Sequence, residues 1–241
     1  MTNPRRPRPF RAIGVDRILR LAGDRRIVVI APHPDDETLG CGSLIASAVG
    51  RRIPVGVVAL TDGDGSHPGS QAWPPAALGR LRAGEMRRAL ARLGAGGVAV
   101  RRLGWGDGRV VADARVGHLR RQLVALRAGV VLVTSDADHH LDHRAAARLA
   151  AAAARSLGLP LIHYAVWSRV LSESRGRDCL RGAKRWAALA HRSQLGTYIT
   201  DDPAGFWLEP ATLASLVGGR ERFEQQVGFR TRLDGGHQLR E

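Results

Sequence analysis

The segment "HPDDE" places His33, Asp35, Asp36 and Glu37 within five residues, directly after the apolar run "RIVVIA". At the end of a buried strand each of these groups must be paired or coordinated. His33 and Asp36 stand three apart, so on the first turn of a helix they project from one face. A second cluster, "HLDH", repeats that spacing with His140 and His143. A hydrolytic zinc site uses three nitrogen or oxygen ligands and keeps one position open for water. Two ligands from the first cluster and one from the second would meet across neighbouring strand ends. The same residues also allow a plainer arrangement. Asp35 or Asp36 would cap a helix near Leu39, Glu37 would complement its dipole, and His33 would pack against a loop.

The elements that must carry these residues decide between the two. Short apolar runs rich in Val, Ile and Leu predict strands from Arg26 to Ala31, Pro54 to Leu60, Val98 to Leu103, Val130 to Thr134 and Pro160 to Val166. Helical patterns fill the gaps, from Leu39 to Gly50, Ala76 to Leu93, Ala114 to Leu126 and Asp142 to Leu157. The alternation predicts a single α/β domain: a Rossmann-like, mostly parallel sheet with helices on both faces. Ligands of such sheets sit outside the carboxyl ends of the strands. "HPDDE", "TDGDGSH", "GWGDG" and "SDADHHLDH" follow the first four strands, so every acidic or histidine-rich cluster falls on that edge. A capping role for "HPDDE" does not explain the second cluster on the same edge. Past Ser168 the pattern is less regular. "RGAKRWAALAHRSQL" reads as a helix, "TDDPAGFWLEP" as a loop and "GGRERFEQQVG" as a short terminal helix. Residues 1–14 read as a disordered basic tail, and 15–241 as the domain.

The net charge of +15 is carried by arginine, Lys184 being the one lysine, in a chain otherwise rich in Ala and Gly. Such a bias follows from GC-rich coding, and nucleic-acid binding is not expected. Aromatic content of 5% also leaves few platforms for stacking bases. Cys41 and Cys179 are read as reduced thiols of a cytoplasmic protein. The paired arginines near the N-terminus are not followed by an apolar signal core. No apolar run approaches the roughly 20 residues of a transmembrane helix.

"APHPDDETLGCGSLIA" together with "DHHLDHRAA" resembles the PIG-L or LmbE-like family of zinc-dependent de-N-acetylases, and the likeness extends through "LTDGDGSHPGS", "RAGEMRRALARLG" and "AHRSQL". The resemblance implies removal of an N-acetyl group from an N-acetylglucosamine-type sugar or its conjugate. It makes His33, Asp36 and His143 the metal ligands and Asp35 the general base. His140 would face the substrate carbonyl as an imidazolium, with Asp142 orienting it. Zn2+ is the implied cofactor, although a set of two histidines and one aspartate also accepts Fe2+ or Co2+. Arg82 is implied to reach into the site for the substrate's polar head, where an ion pair with Glu85 would be the simpler role. Asp107 bonds a substrate hydroxyl or makes an Asx turn; Asp62 and His67, on the loop after the second strand, are further candidates for a sugar hydroxyl. Two departures stand out: Ser43 takes a position where many relatives carry glycine, and no tyrosine precedes the second motif. Other amide hydrolysis on the same site, of a longer N-acyl group or a thiol conjugate, and a non-catalytic carbohydrate- or nucleotide-binding module are the competing readings.

Overall fold

The run Arg26–Ala31 forms strand β2, and all but its first residue are buried. Its side chains alternate between two cores. Ile27 and Val29 join one cluster with Leu44, Ile45, Met86 and Leu90, while Val28 and Ile30 join the other with Leu119, Leu123 and Leu149. A strand apolar on both faces is what a sheet covered by helices on both sides requires. The computed structural model describes residues 10–110, 115–167 and 180–227.

Around β2 the sheet has seven strands. They are β1 (Phe10–Ala12), β2, β3 (Val55–Thr61), β4 (Ala99–Trp105), β5 (Ala128–Thr134), β6 (Leu161–Tyr164) and β7 (Phe223–Gln226), in the spatial order β1-β7-β6-β5-β2-β3-β4. β2 to β6 pair in parallel, and β7 and β1 close one edge antiparallel. The flanking helices are α1 (Val15–Ala22), α2 (Asp36–Gly50), α3 (Pro75–Arg92), α4 (Val116–Ala125), α5 (Leu141–Leu157), α6 (Arg181–Ala188) and α7 (Pro210–Gly218). The predicted single α/β domain is thus the observed fold. From β2 the chain winds outward through β3 and β4, then returns to place β5 on the other side of β2. The carboxyl ends of β2 and β5 therefore flank the crevice where the strand order reverses, the usual ligand position in such sheets.

Helix α2 carries the first cluster and approaches the sheet closely. A Cβ on Gly40 would collide with the ring of Tyr164, which is fully buried and donates its hydroxyl to Ile30 O at 2.8 Å. Gly40→Ala is expected to lower stability by about 1–3 kcal/mol, through overpacking. Thermal unfolding checks this; an unchanged midpoint would show that α2 can move away from β6 without loss.

Two expectations are corrected. "GGRERFEQQVG" is not a terminal helix, because Phe223–Gln226 pairs with both β6 and β1. Phe223 is fully buried opposite Tyr164, and filling the open edge of β6 outweighs the helix preference of Glu and Gln in so short a segment. Phe10–Ala12, expected within the disordered tail, is the edge strand β1; residues 1–9 lie outside the described set, as does Cys179. Cys41 is a buried free thiol. Among the described residues no helix is long and apolar enough to cross a membrane.

Candidate metal centre and active site

The backbone turns sharply where β2 gives way to α2. Asp35, directly before the helix, has φ 156° and ψ −26°, a conformation that side chains rarely adopt. Its N–H is held by Glu37 Oε2 at 3.2 Å, and its carbonyl accepts from Thr38 and Leu39. The turn leaves Asp35 and Asp36 facing different partners. Asp36 Oδ2 accepts from the His33 peptide N–H at 2.9 Å and lies 3.4 Å from His33 Nδ1 and 3.3 Å from His143 Nε2. Asp35 instead meets Arg82, whose Nη2 donates to its Oδ2 at 3.1 Å.

Each imidazole is gripped on its far side by carboxylates from other elements. His33 Nε2 lies 3.1 Å from Asp107 Oδ1 and 3.3 Å from Asp142 Oδ2. His143 Nδ1 lies 3.1 Å from Asp138 Oδ2. These contacts favour a ring proton on His33 Nε2 and on His143 Nδ1, so His33 Nδ1 and His143 Nε2 are the nitrogens that a metal ion would meet once their own protons leave. Buried metal-binding histidines show this carboxylate support. His143 Nε2 is buried and makes no hydrogen bond among the described residues, an orphan that a metal ion would satisfy. Ring nitrogens of His33, His140 and His143 also lie within 4.8 Å of one another, as do ligand atoms of His33, Asp107 and Asp142. His33, Asp36 and His143 supply a nitrogen and oxygen set suited to a divalent cation, with His140 alongside.

Without a metal, the imidazoles and carboxylates of the cluster hold one another's charge. Burial disfavours the carboxylate of Asp36, but His143 and His33 outweigh it and hold its pKa well below the usual range. Burial likewise opposes the imidazolium of His143, but Asp36 and Asp138 hold it up at about 9. His33 is raised for the same reason by Asp107, Asp142 and Asp36, against burial. For Asp35 burial prevails: its pKa rises to about 7, with Arg82 opposing the rise. The two adjacent aspartates are therefore pushed apart in acidity, the pattern expected where one holds charge and the other moves a proton.

His140 caps α5, with its Nδ1 accepting from the Asp142 N–H at 3.2 Å and its own N–H donating to Asp138 Oδ1 at 3.0 Å. Burial and then the charges of His33 and His143 lower its pKa. The expected imidazolium supported by Asp142 is not what the structure holds. The Asp142 carboxylate is engaged with His33 and with the N–H groups of Gly108 and Val110 at 2.8 and 3.0 Å. His140 Nδ1 accepts from the Asp142 N–H, which favours the neutral ring and leaves Nε2 to carry its proton.

The substrate-facing candidates divide. Arg82 is buried and reaches the site, yet it donates to Gly63 O, Pro34 O and Asp35; Glu85 accepts instead from Ser193 N and Oγ. Asp107 bridges His33 and the Gly65 N–H. Asp62 pairs with Arg102 at 2.8 Å and does not line the cavity. His67 is buried beneath the loop at Gly205, with Nδ1 3.0 Å from Ser66 Oγ, and does not line it either. That cavity measures about 510 Å³ and is bordered by His33, Asp35, Arg82, Asp107 and His140, with Trp167 and Phe206 as apolar walls. Next to the lining residue Pro68, Asp201 and Asp202 fasten the loop by accepting from the N–H groups of Gln71, Ala72 and Gly69. Arg82→Gln is expected to move the acid limb of the pH–rate profile up by about 1 unit, because the cation that favours ionised Asp35 is gone. An unchanged limb would separate Arg82 from the titration of Asp35.

Sequence reading missed Asp138, Trp167 and Phe206. Asp138 could have been found as the carboxylate five residues before a candidate ligand. The two aromatic residues carry no local signal, since distant loops deliver them. His191, for which the sequence offers no role, lies 3.3 Å from Thr38 Oγ1 and 3.9 Å from Glu37 Oε1 beneath the first turn of α2.

Residues 28–154 match the family model described as PIG-L: GlcNAc-PI de-N-acetylase, more than half of the 241-residue chain. The chain belongs to the PIG-L family. Both candidate metal-ligand clusters fall inside the matched region. A 1D-myo-inositol 2-acetamido-2-deoxy-alpha-D-glucopyranoside deacetylase of Mycolicibacterium vanbaalenii is 32% identical over 169 residues, 59% of this chain and 60% of the relative. The chain thus spans about 60% of that relative's length. The solved N,N'-diacetylchitobiose deacetylase of Pyrococcus horikoshii shares the fold with a TM-score of 0.68, at 19% identity and 83% coverage of each chain. A conserved protein of Thermus thermophilus superimposes with a TM-score of 0.63 at 27% identity, covering 84% of this chain and 93% of its own. The PIG-L clusters of this chain therefore sit on a fold that those proteins share.

Proposed function

We propose that this PIG-L protein is a metal-dependent hydrolase that removes the N-acetyl group from an N-acetylglucosamine-type sugar conjugate. The observation that carries the reading is the division of labour between adjacent aspartates. Both aspartates line the cavity, but Asp36 faces two carboxylate-braced imidazoles, while Asp35 stays off them, paired with Arg82 and raised to about 7. A sugar-binding module has no use for such a spare carboxylate.

His33, Asp36 and His143 would hold the ion, zinc being our assignment. Bound there, it supplies Lewis acidity that polarises the acetamide carbonyl and acidifies water. Asp35 takes a proton from the attacking water and returns it to the amide nitrogen as the C–N bond breaks, so acetate and the free amine leave. Arg82 keeps Asp35 in place and favours its ionised form. His140 donates from Nε2 to the carbonyl oxygen as negative charge develops there. Trp167 and Phe206 give that side of the cavity an apolar wall.

Acetate release from a panel of N-acetylglucosaminides tests the reading. The zinc-loaded protein is expected to release acetate and the free amine in equal amounts, and the chelated protein to release neither. A protein that takes up zinc yet hydrolyses no member of the panel would sink it.

A further inference from the structure

Glu37, Glu85 and His191 are buried titratable groups that the proposed chemistry does not use. All three bear on one short stretch, His191 and the 3-10 turn Arg192–Gln194 that follows α6. Backbone bonds anchor that turn. The His191 N–H donates to Ala188 O at 3.1 Å, and Gln194 O accepts from the Leu208 N–H at 2.7 Å.

Two lines of contact run from the turn to Asp35. The first is a chain of hydrogen bonds. Burial, and then the charge of Arg82, lower the pKa of His191 to about 3, so the ring is neutral. Thr38 Oγ1 donates to Glu37 Oε1 at 2.7 Å, so toward His191 Nε2, 3.3 Å away, the hydroxyl is the acceptor and the ring the donor. Glu37 Oε2 accepts from the Asp35 N–H at 3.2 Å, a proton it shares with His33 O at 3.0 Å. Burial pushes Glu37 up to about 8, but this grip needs only an acceptor oxygen, which either protonation state keeps. The second line passes through α3. Ser193 donates from N and Oγ to Glu85 Oε1 and Oε2 at 2.8 and 2.6 Å, and Glu85 stands three residues beyond Arg82, whose Nη2 meets Asp35 Oδ2. Asp35 is thus held at its N–H and at its carboxylate by groups tied to the same turn. A φ of 156° persists only where the surroundings over-determine it. Asp36 is held separately, by the His33 peptide N–H and the two imidazoles.

We propose that His191 and Ser193 are positioning residues, which set the backbone and the carboxylate of Asp35 from behind the active site. His191 acts through Thr38 and Glu37, Ser193 through Glu85 and Arg82. The inference rests on the deacetylase reading for the task of Asp35, and it gives the stretch "AHRSQL" a part in the chemistry.

Variants of both residues, each made alone and combined with Asp35→Asn, provide the test in the zinc-loaded protein. His191→Leu removes the donor at similar volume. It is expected to lower kcat by about 10- to 100-fold, as a misplaced catalytic group does, with KM within about 2-fold and metal content unchanged. Ser193→Ala, which keeps the peptide N–H on Glu85, should lose less, about 3- to 10-fold, as for one hydrogen bond. His191→Gln, with an amide donor for Thr38, should recover most of the parent rate. Combined with Asp35→Asn, neither substitution should slow the remaining release further, because the group they place is gone. An equal fold loss in both backgrounds overturns the proposal by making the turn a general brace of the fold. Loss of metal in step with activity also overturns it. Crystal structures of the variants read the geometry without turnover: in His191→Leu the contact of Asp35 with Arg82 should break, and an unmoved Asp35 overturns the proposal. If His191→Leu does not fold, Ser193→Ala carries the same comparisons. A parent protein that releases no acetate removes the deacetylase reading, and the structures still decide whether the turn places Asp35.

Discussion

Replacing Asp35 by Asn is expected to leave metal content unchanged and to lower kcat by about 100- to 10,000-fold, the range of general acid–base catalysis. Asn keeps the shape of the side chain and can still meet Arg82, so the turn before α2 should survive. What is lost is the group that takes and returns a proton. Metal content is the informative control, because Asp35 touches Arg82 whereas Asp36 touches His33 and His143. Asp36→Asn should show the opposite split: metal is lost first, and activity with it. If Asp35→Asn also lost its metal, the two adjacent aspartates would not have separate duties, and the mechanism above would fail. Acetate release and metal analysis on the same preparations decide it.

The parts of this site visible in the sequence are those that short-range patterns encode. Strand β2 is visible because a chain buried on both faces must be apolar at every position, and Ile27 to Ala31 satisfy that without exception. His33 and Asp36 are visible because helical spacing and a strand end together leave few other uses for them. What escaped was set by contacts between distant segments. Asp142 was expected to brace His140, but the loop carrying Gly108 and Val110 folds over and turns its carboxylate to His33. Asp62 and His67 share a loop with Ser66 and Gly65, yet Arg102 draws one outward and the loop at Gly205 covers the other. Position after a strand places a residue at the correct edge of the sheet. It does not decide which way the side chain turns, because the partner comes from elsewhere in the chain. The strand β7 was missed for the same reason, since nothing within "FEQQ" reports the open edge of β6 that it fills.

The internal ion pairs of the metal-free cluster make metal binding a competition with protons. His143 is held at about 9 and His33 is also raised, so at neutral pH the empty site carries protons that a metal must displace. Apparent zinc affinity is therefore expected to rise by about 10-fold per pH unit for each proton released, up to the pKa of the ring that carries it. The metal-free fold should respond in the opposite sense. A histidine whose pKa is raised on folding, from the ordinary 6.5 to about 9, stabilises the fold fully below 6.5 and loses that contribution as pH climbs through 9. Asp36, held below its ordinary 3.8, contributes above that value and gives up its share only in strong acid. Between pH 7 and 9.5 the melting temperature of the metal-free protein should therefore fall, while the zinc-induced increase in melting temperature should grow. Melting curves of both forms across that range, with calorimetry in buffers of different ionisation enthalpy to count the protons, measure both effects. Parallel curves and no proton release would mean that the two imidazoles are already neutral in the empty site. The carboxylates of Asp36, Asp107, Asp138 and Asp142 would then be held by neutral N–H donors of the peptide chain and the two rings, and the ion pairing described for the cluster would be wrong.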